Sequence, residues 1–243
     1  MPKTNDTILF GDRQMIWIGL DDTDVRGAPG TGQLARVLAG WLGTFFPVLG
    51  VTRHQLLQDP RVPMTAKNSA AAIHLRVDGS TDLIGLADEL AARVRAAAAP
   101  GSDPGLCVAQ TVHEDVVAFG QWAKEALVTR QEAVALAARR DLILRSLGGD
   151  GSGVIGALAA VGLAASGNDG RFNFCGSLRE LAGRQPVATI LEAGAAQVRA
   201  VTGEPVTTGL VETAGKLRPS LVGGQPVLWV ERRNGAWVAV RRD

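Results

Sequence analysis

The amino-acid sequence predicts an α/β or α+β protein. Short β-branched apolar runs alternate with longer stretches whose apolar residues recur at three and four, and glycine- or proline-rich breaks separate them. No internal repeat is visible, and 243 residues are enough for one large or two small domains.

Met15 to Leu20 is an apolar run closed by acidic and glycine-rich residues, the pattern of a buried strand entering a loop. From Thr31, a natural N-cap, Leu34, Val37, Leu38, Trp41 and Leu42 mark a helix with one inward face. Val51 to Leu57 and Ala71 to Val77 read as strands, joined by the polar loop Gln58 to Ser69 that Pro60 and Pro63 stiffen. Ser80-Thr81-Asp82 caps a helix to about Ala98, and Pro100-Gly101 stops it. Gly105 to Thr111 is a strand, and Asp115 to Leu127 and Arg130 to Leu147 are helical. Gly148 to Gly153 is too glycine-dense for regular structure and opens into the apolar helix Val154 to Ala165. Arg171 to Phe174 follows, then helical Ser177 to Ala182 and Ala188 to Ala200. The chain ends in Val206 to Val211, Pro226 to Arg232 and Ala236 to Arg241. The last two form a hairpin over Arg233-Asn234-Gly235, whose Asn-Gly supplies positive-φ turn residues.

Composition narrows the function classes. With 46% hydrophobic and 20% charged residues the chain is globular, not disordered or fibrous. A net charge of +1 gives no global field for a polyanion or an anionic membrane, so nucleic-acid binding would need a local basic patch. Two cysteines, Cys107 and Cys175, can build neither a disulfide framework nor a four-cysteine zinc site, which points to a reducing, cytoplasmic compartment. No apolar stretch reaches the ~18 residues a bilayer requires, so no membrane partner is expected. Met1 to Gln14 lacks the order of a secretory signal and reads as a disordered leader.

Asp21-Asp22-Thr23-Asp24 places three carboxylates in four residues at the carboxyl end of a strand. Such crowding is costly unless a cation neutralises it, and hard oxygens of this kind suit Mg²⁺ completed by substrate phosphates. A solvated acidic turn is the plain alternative. Asp22-x-Asp24 also invites comparison with the haloacid-dehalogenase phosphatases, but the later glycine-aspartate motif fails, because Gly149-Asp150-Gly151 has no second aspartate and Val154 sits at its place. Gly148 to Gly153 carries no cation and is not a P-loop, yet backbone N–H groups running into a helix N-terminus attract anions. Arg61 and Lys67 put cations on the loop between the second and third strands, with Arg53 before it. His54 and His74 alternate with apolar residues as strand-face residues do, and His113 opens a helix with acidic first-turn residues. Cys107 reads as core, and Cys175 has no obvious partner.

Three segments together carry a family resemblance. Ile18-Gly19-Leu20-Asp21-Asp22-Thr23-Asp24, then Asp59-Pro60-x-Val62-Pro63 with Lys67-Asn68-Ser69, then Gly149 through Ala160, resemble the archaeal tRNA-isoleucine agmatinylcytidine synthetases in order and spacing. Arg218-Pro219 with Gly224 through Val230 is similar to the end of that family's ferredoxin-like domain. The resemblance runs from about Met15 to Arg232. It implies a kinase-like ATP- and Mg²⁺-binding region over 15–175, interrupted by part of a ferredoxin-like domain whose remainder fills 176–243. It also implies the family's chemistry, in which ATP phosphorylates a carbonyl oxygen and an amine displaces the phosphate. By that likeness Asp21, Asp22 and Asp24 hold the metal, and Thr31 is a phosphate contact or a phosphorylation site. Gly149, Asp150, Gly151, Ser152 and Gly153 bind the nucleotide.

Departures from the family shift the expected substrate. Its OB-fold and zinc ribbon have no counterpart here, which argues against nucleic acid as partner. Gly30-Thr31-Gly32-Gln33 replaces Cys-Thr-Thr-Tyr, and Lys67-Asn68-Ser69 replaces Arg-Gly-Asn. Short relatives of this kind resemble proteins encoded with methanopterin-type one-carbon cofactor genes in methylotrophic bacteria. The expectation is thus a phosphotransferase or ligase using ATP and Mg²⁺ on an oxygen of a small molecule, followed by amine or carboxylate condensation. Asp22, Asp24, Thr31 and Lys67 are its catalytic candidates, and Arg61 helps bind the nucleotide, with homo-oligomerisation left open. The alternatives are a non-catalytic nucleotide-binding subunit, a tRNA-modifying enzyme and a phosphatase of the haloacid-dehalogenase kind.

Overall fold

Strand β1 (Gln14–Asp21) organises the first half of the computed structural model, which describes residues 14–62 and 67–242. The expected leader lies outside the described residues save Gln14, which already belongs to β1, and so does Pro63. Alternation along β1 sends Ile16, Ile18 and Leu20 to one face of the sheet, where all three are fully buried. They meet Leu34, Leu38 and Leu42 of helix α1 (Thr31–Leu42). Strands β2 (Val48–Gln55) and β3 (Ser69–Val77) follow, and Leu86, Leu90 and Val94 of α2 (Leu83–Ala97) complete that core. Asp82 caps α2 as its sequence predicts, accepting hydrogen bonds from the N–H groups of Ile84 and Gly85. The expected Thr31 cap is corrected: Thr31 is the first helical residue and Gly30 occupies the cap without a side-chain bond.

Strands β4 (Gly105–Ala109) and β5 (Ile143–Ser146) extend the sheet, and its other face is covered by α3 (Glu114–Glu125), α4 (Arg130–Arg139) and α5 (Gly153–Ala165), which form a second core. Helix α5 is apolar all round and buried along nearly its whole length, the property of a central helix covered on every side. Its close approach requires glycine: a Cβ on Gly19 would lie 2.0 Å from the carbonyl oxygen of Ala157. Beyond it come β6 (Arg171–Phe174), a 3-10 turn at Leu178–Glu180, β7 (Arg184–Pro186), α6 (Val187–Glu192), β8 (Gln197–Ala200), β9 (Leu210–Glu212), β10 (Ser220–Val222), β11 (Gln225–Arg233) and β12 (Ala236–Val240). A third core, including Phe172, Leu178, Ile190, Val198 and Leu228, serves this half.

All these strands join one mixed sheet in the order β5-β4-β1-β3-β2-β6-β10-β11-β12-β9-β7, with β8 beside β11. The α/β reading therefore holds in its mixed, α+β form. β1 is antiparallel to both its neighbours, while β8–β11 and β9–β12 are parallel. Three expected helices are too long, and the one over Ser177 to Ala182 shrinks to the 3-10 turn at Leu178–Glu180. The one from Arg130 stops where Asp141 takes a φ of 52°, and Ile143 to Ser146 pair with β4 instead. The one from Ala188 stops before Gly194 at φ 123°, and Gln197 to Ala200 form β8. The final hairpin turns as expected, with Asn234 and Gly235 at φ 49° and 80°. Among the described residues no helix is long and apolar enough to cross a membrane.

Beneath β2 and β3 runs a buried polar chain, with His54 and His74 on strand faces as anticipated. Lys124 bonds Asp169, whose other oxygen is 2.9 Å from His54 Nδ1. His54 Nε2 is 2.7 Å from the Thr52 hydroxyl, which is 2.8 Å from His74 Nε2. A carboxylate only accepts, so His54 Nδ1 donates, its Nε2 accepts from Thr52, and His74 donates to Thr52. Burial, and then the neighbouring His54, push the His74 imidazole down to about 3. A depressed histidine is fully stabilising above its unfolded value of about 6.5 and costs stability as pH falls from there, at up to ~1.4 kcal/mol per pH unit. The raised carboxyls of Asp21 and Asp22, at about 7 and 6, act oppositely over the same window. Urea titrations of the parent and His74→Gln between pH 7 and 4.5 separate the two effects. The stability lead of the parent is expected to shrink steadily on acidification, and a constant lead would contradict the neutral buried imidazole.

Candidate functional site

The same alternation that buries Ile18 and Leu20 turns Trp17, Gly19 and Asp21 toward α5. Gly19 lets the helix backbone approach, and Asp21, one step further, reaches its first turn: a Cβ on Gly156 would lie 1.8 Å from Asp21 Oδ2. The chain then turns through Asp22 at φ 49°, a left-handed conformation that aspartate tolerates better than bulkier residues. Thr23 is buried, and its backbone N–H and hydroxyl both donate to Thr31 Oγ1, at 3.2 and 3.1 Å. The Thr31 hydroxyl in turn bonds the Asp24 carboxylate. Thr31 thus locks the acidic loop to the start of α1.

These residues line a cavity of about 290 Å³. Asp21, Asp22, Asp24 and Thr31 form one wall, and Ser152, Gly153 and Gly156 at the start of α5 form another. Arg61, Lys67 and Asn68 of the loop between β2 and β3, with Ser69 at the start of β3, close it. An apolar side made by Leu56, Leu57, Ala126, Leu127, Val128 and Ile155 completes it. Sequence reasoning missed that apolar side, because its residues sit at the ends of three elements and look like ordinary core. The Asn68 amide donates to the Leu57 carbonyl at 2.7 Å, which fixes the loop against the apolar wall.

The glycine loop behaves differently from expectation. Gly149, Asp150 and Gly151 do not line the cavity, while Ser152 and Gly153 do. The anion in the backbone cradle is a carboxylate of the chain itself. Gly151 N–H donates to Asp103 Oδ1 at 2.9 Å, and Ser152 N–H donates to Asp103 Oδ2 at 2.6 Å. Gly153 has no room for a side chain, since a Cβ there would lie 1.9 Å from the Asp103 carbonyl oxygen. The loop therefore ties α5 to the segment before β4. Arg61 also differs: it faces the cavity but clamps Asp59 bidentately at 2.8 Å, which holds the Asp59 carboxyl at about 2.

Electrostatically the acidic wall is frustrated. Burial pushes the Asp21 carboxyl up to about 7, with the Asp22, Asp24 and Asp103 charges adding to it against a backbone N–H bond from Asp22. Burial, then Asp103, Asp24 and Asp150, push Asp22 up to about 6, and burial also raises Asp24. Among the described residues no three His, Cys, Asp or Glu side chains converge as a ready-made metal cage. The donor set fits Mg²⁺ in another way, since that ion commonly takes one or two carboxylates and completes its shell with water and phosphate oxygens. Elsewhere the remaining candidates are structural. His113 precedes α3, whose first turn carries Glu114 and Asp115. Cys107 is core, its thiol pushed up by burial to about 12, and Cys175 bonds the Gly194 carbonyl at 3.2 Å.

Comparison with protein-family models and with curated proteins finds no match. Solved structures do match. A complex of the synthetase TiaS with tRNA and ATP superposes with a TM-score of 0.54 at 24% identity, over 61% of this chain and 36% of that one. A TiaS complex with tRNA, AMPCPP and agmatine gives 0.52, 24%, 61% and 36%. A tRNA fluorescent labeling enzyme gives 0.53, 26%, 61% and 36%. The chain thus spans little more than a third of the length of these structures. The tRNA in two of them leaves the expectation of no nucleic-acid partner without support. At this identity the likeness is one of fold, and it is the fold that the synthetase resemblance implies.

Proposed function

We propose that the chain is an ATP- and Mg²⁺-dependent phosphoryl-transfer enzyme that activates an oxygen of an acceptor for later displacement. One observation carries this reading: Asp21 rests on the first turn of α5 while Asp22, Asp24, Lys67, Ser152 and Gly153 line the same cavity. Asp21 and Asp22 would hold Mg²⁺, which supplies charge neutralisation for the phosphates. The apolar side suits a nucleobase, and the α5 N-terminus, whose Gly151 and Ser152 N–H groups are taken by Asp103, favours a phosphate at its Gly153 end through its dipole. Lys67 offsets charge on the transferred group. Thr31 positions Asp24 through its hydroxyl, in place of the direct phosphate contact its sequence suggests. The solved neighbours with ATP and AMPCPP lend support from the same fold.

The acceptor in this reading is a small molecule. A nucleic-acid acceptor is the second reading, favoured by the tRNA in the TiaS complexes. Calorimetry with ATP, with and without Mg²⁺, followed by assay of ADP and AMP release in host metabolite extract or tRNA, tests all of this. Metal-dependent binding with acceptor-dependent nucleotide release is the expected result. Binding without turnover identifies a non-catalytic nucleotide-binding subunit, and absence of binding refutes the ATP site.

A further inference from the structure

A second cavity, of about 410 Å³, adjoins the first and shares Asp24, Thr31, Lys67 and Ser69 with it. Its character is opposite. Arg36 of α1, Arg179 of the 3-10 turn and Arg218 before β10 all line it, and Asp24 is the one carboxylate of that lining. Two of the guanidiniums are held by backbone carbonyls. Arg36 Nη1 donates to Gly32 O at 2.9 Å, and Arg179 Nη1 donates to Asn173 O at 2.7 Å. None of the three is ion-paired among the described residues.

Two polar atoms in the same place are left without partners. Arg218 Nε and Asn173 Oδ1 are buried and unbonded, and Asn173 is only 5% exposed. Its amide nitrogen already donates to Gly32 O at 3.3 Å, so the free atom is the acceptor. Buried polar groups are normally satisfied, and like charges gathered in excess of the one carboxylate among them are costly. The cost is visible in the groups themselves. Burial and then the Arg218 charge lower Arg36, and burial and then Arg36 lower Arg179.

We infer that this cavity binds the anionic part of the acceptor, a small molecule bearing phosphate or carboxylates, through Arg36, Arg179 and Arg218. Asn173 Oδ1 takes a hydrogen bond from a hydroxyl or amine of the same molecule. The inference rests on the ATP reading of the first cavity, because the shared wall is what places the bound molecule beside the transferred phosphate. Arginine suits the task, since its planar fork matches both carboxylate and phosphate oxygens. A cationic amine such as the agmatine in one solved neighbour would be repelled here, so the molecule bound in this cavity differs in charge from agmatine. A strand of RNA is the lesser fit. Backbone-tracking sites string cations along an open groove, whereas these three converge on one concavity.

Calorimetry on the full chain tests the inference with three probes: inorganic phosphate, tricarballylate and a single-stranded RNA dodecamer. Each is titrated into the parent and into Arg36→Gln/Arg218→Gln, with Mg-ATP titrated separately and over saturating phosphate. A small anion is expected to bind the parent and to bind the double variant at least tenfold more weakly, with Mg-ATP affinity changed less than twofold. Phosphate against tricarballylate tells which anion chemistry is preferred. No small-anion binding, binding that the variant leaves intact, binding of RNA alone, or phosphate displaced competitively by Mg-ATP would each overturn the inference. Should the double variant melt early, Arg179→Gln gives the same reading. If phosphate binds in an arginine-dependent way while Mg-ATP fails to bind, the anion site stands and the ATP reading falls.

Discussion

Asp22→Asn is expected to lower acceptor-dependent ATP turnover by roughly 10²–10³-fold, the loss typical of removing one well-placed electrostatic group. The fold should not suffer. Asparagine accepts the left-handed backbone that Asp22 adopts at φ 49° at least as readily as aspartate does. Removing this charge also relieves repulsion from Asp103, Asp24 and Asp150, the groups that act with burial to raise the Asp22 carboxyl to about 6. A melting temperature equal to the parent's or above it, together with lost turnover, is therefore the signature of a carboxylate kept for its chemistry. Turnover within twofold of the parent would remove Asp22 from the mechanism.

A large stability effect should come from Gly19→Ala. The added Cβ would lie 2.0 Å from the Ala157 oxygen, 2.9 Å from the Ala157 carbonyl carbon and 3.0 Å from Val161 Cγ2. The first two are backbone atoms of a buried helix and cannot rotate aside, so β1 and α5 must separate. Overpacking of that kind costs about 3 kcal/mol, the upper end of the usual range. For a chain of this size that lowers the melting temperature by roughly 6–12 °C. The separation also draws Asp21 off Gly156, so turnover should fall with stability. Gly40→Ala is the matched control. It lies inside α1 with nothing within 4 Å of its Cβ position, and should raise stability by roughly 0.5–1 kcal/mol. Equal melting of Gly19→Ala and the parent would refute the packing account of β1 and α5.

How much of this was legible in the sequence follows from the range of the interactions. Local signals were sufficient for β1, α1, α2, α5 and the closing hairpin, because period, cap and turn chemistry are written in adjacent residues. β5, β8 and β10 were not, since runs of three or four residues take their extended form from the partner strand alone. The acidic loop was found from its crowded carboxylates, but not what places it: β1 lies between antiparallel neighbours, and α5 brings Asp21 to the cavity. Asp103 was invisible as the occupant of the glycine cradle, because nothing near Ser102-Asp103-Pro104 announces a bond to a loop 48 positions away. Arg36, Arg179 and Arg218 come from separate elements, so their cavity exists only in three dimensions.

The central claim is that the tip of β1 and the N-terminus of α5 form one nucleotide site. Crystals grown with AMPCPP and Mn²⁺, which stands in for Mg²⁺ and scatters anomalously, test it most directly. The account predicts an anomalous peak about 2.1 Å from a carboxylate oxygen of Asp21 or Asp22, the usual length for such small divalent ions. It also predicts phosphate oxygens against the Gly153 end of α5. A triphosphate seated in the arginine cavity, or a metal bound away from both aspartates, would contradict it.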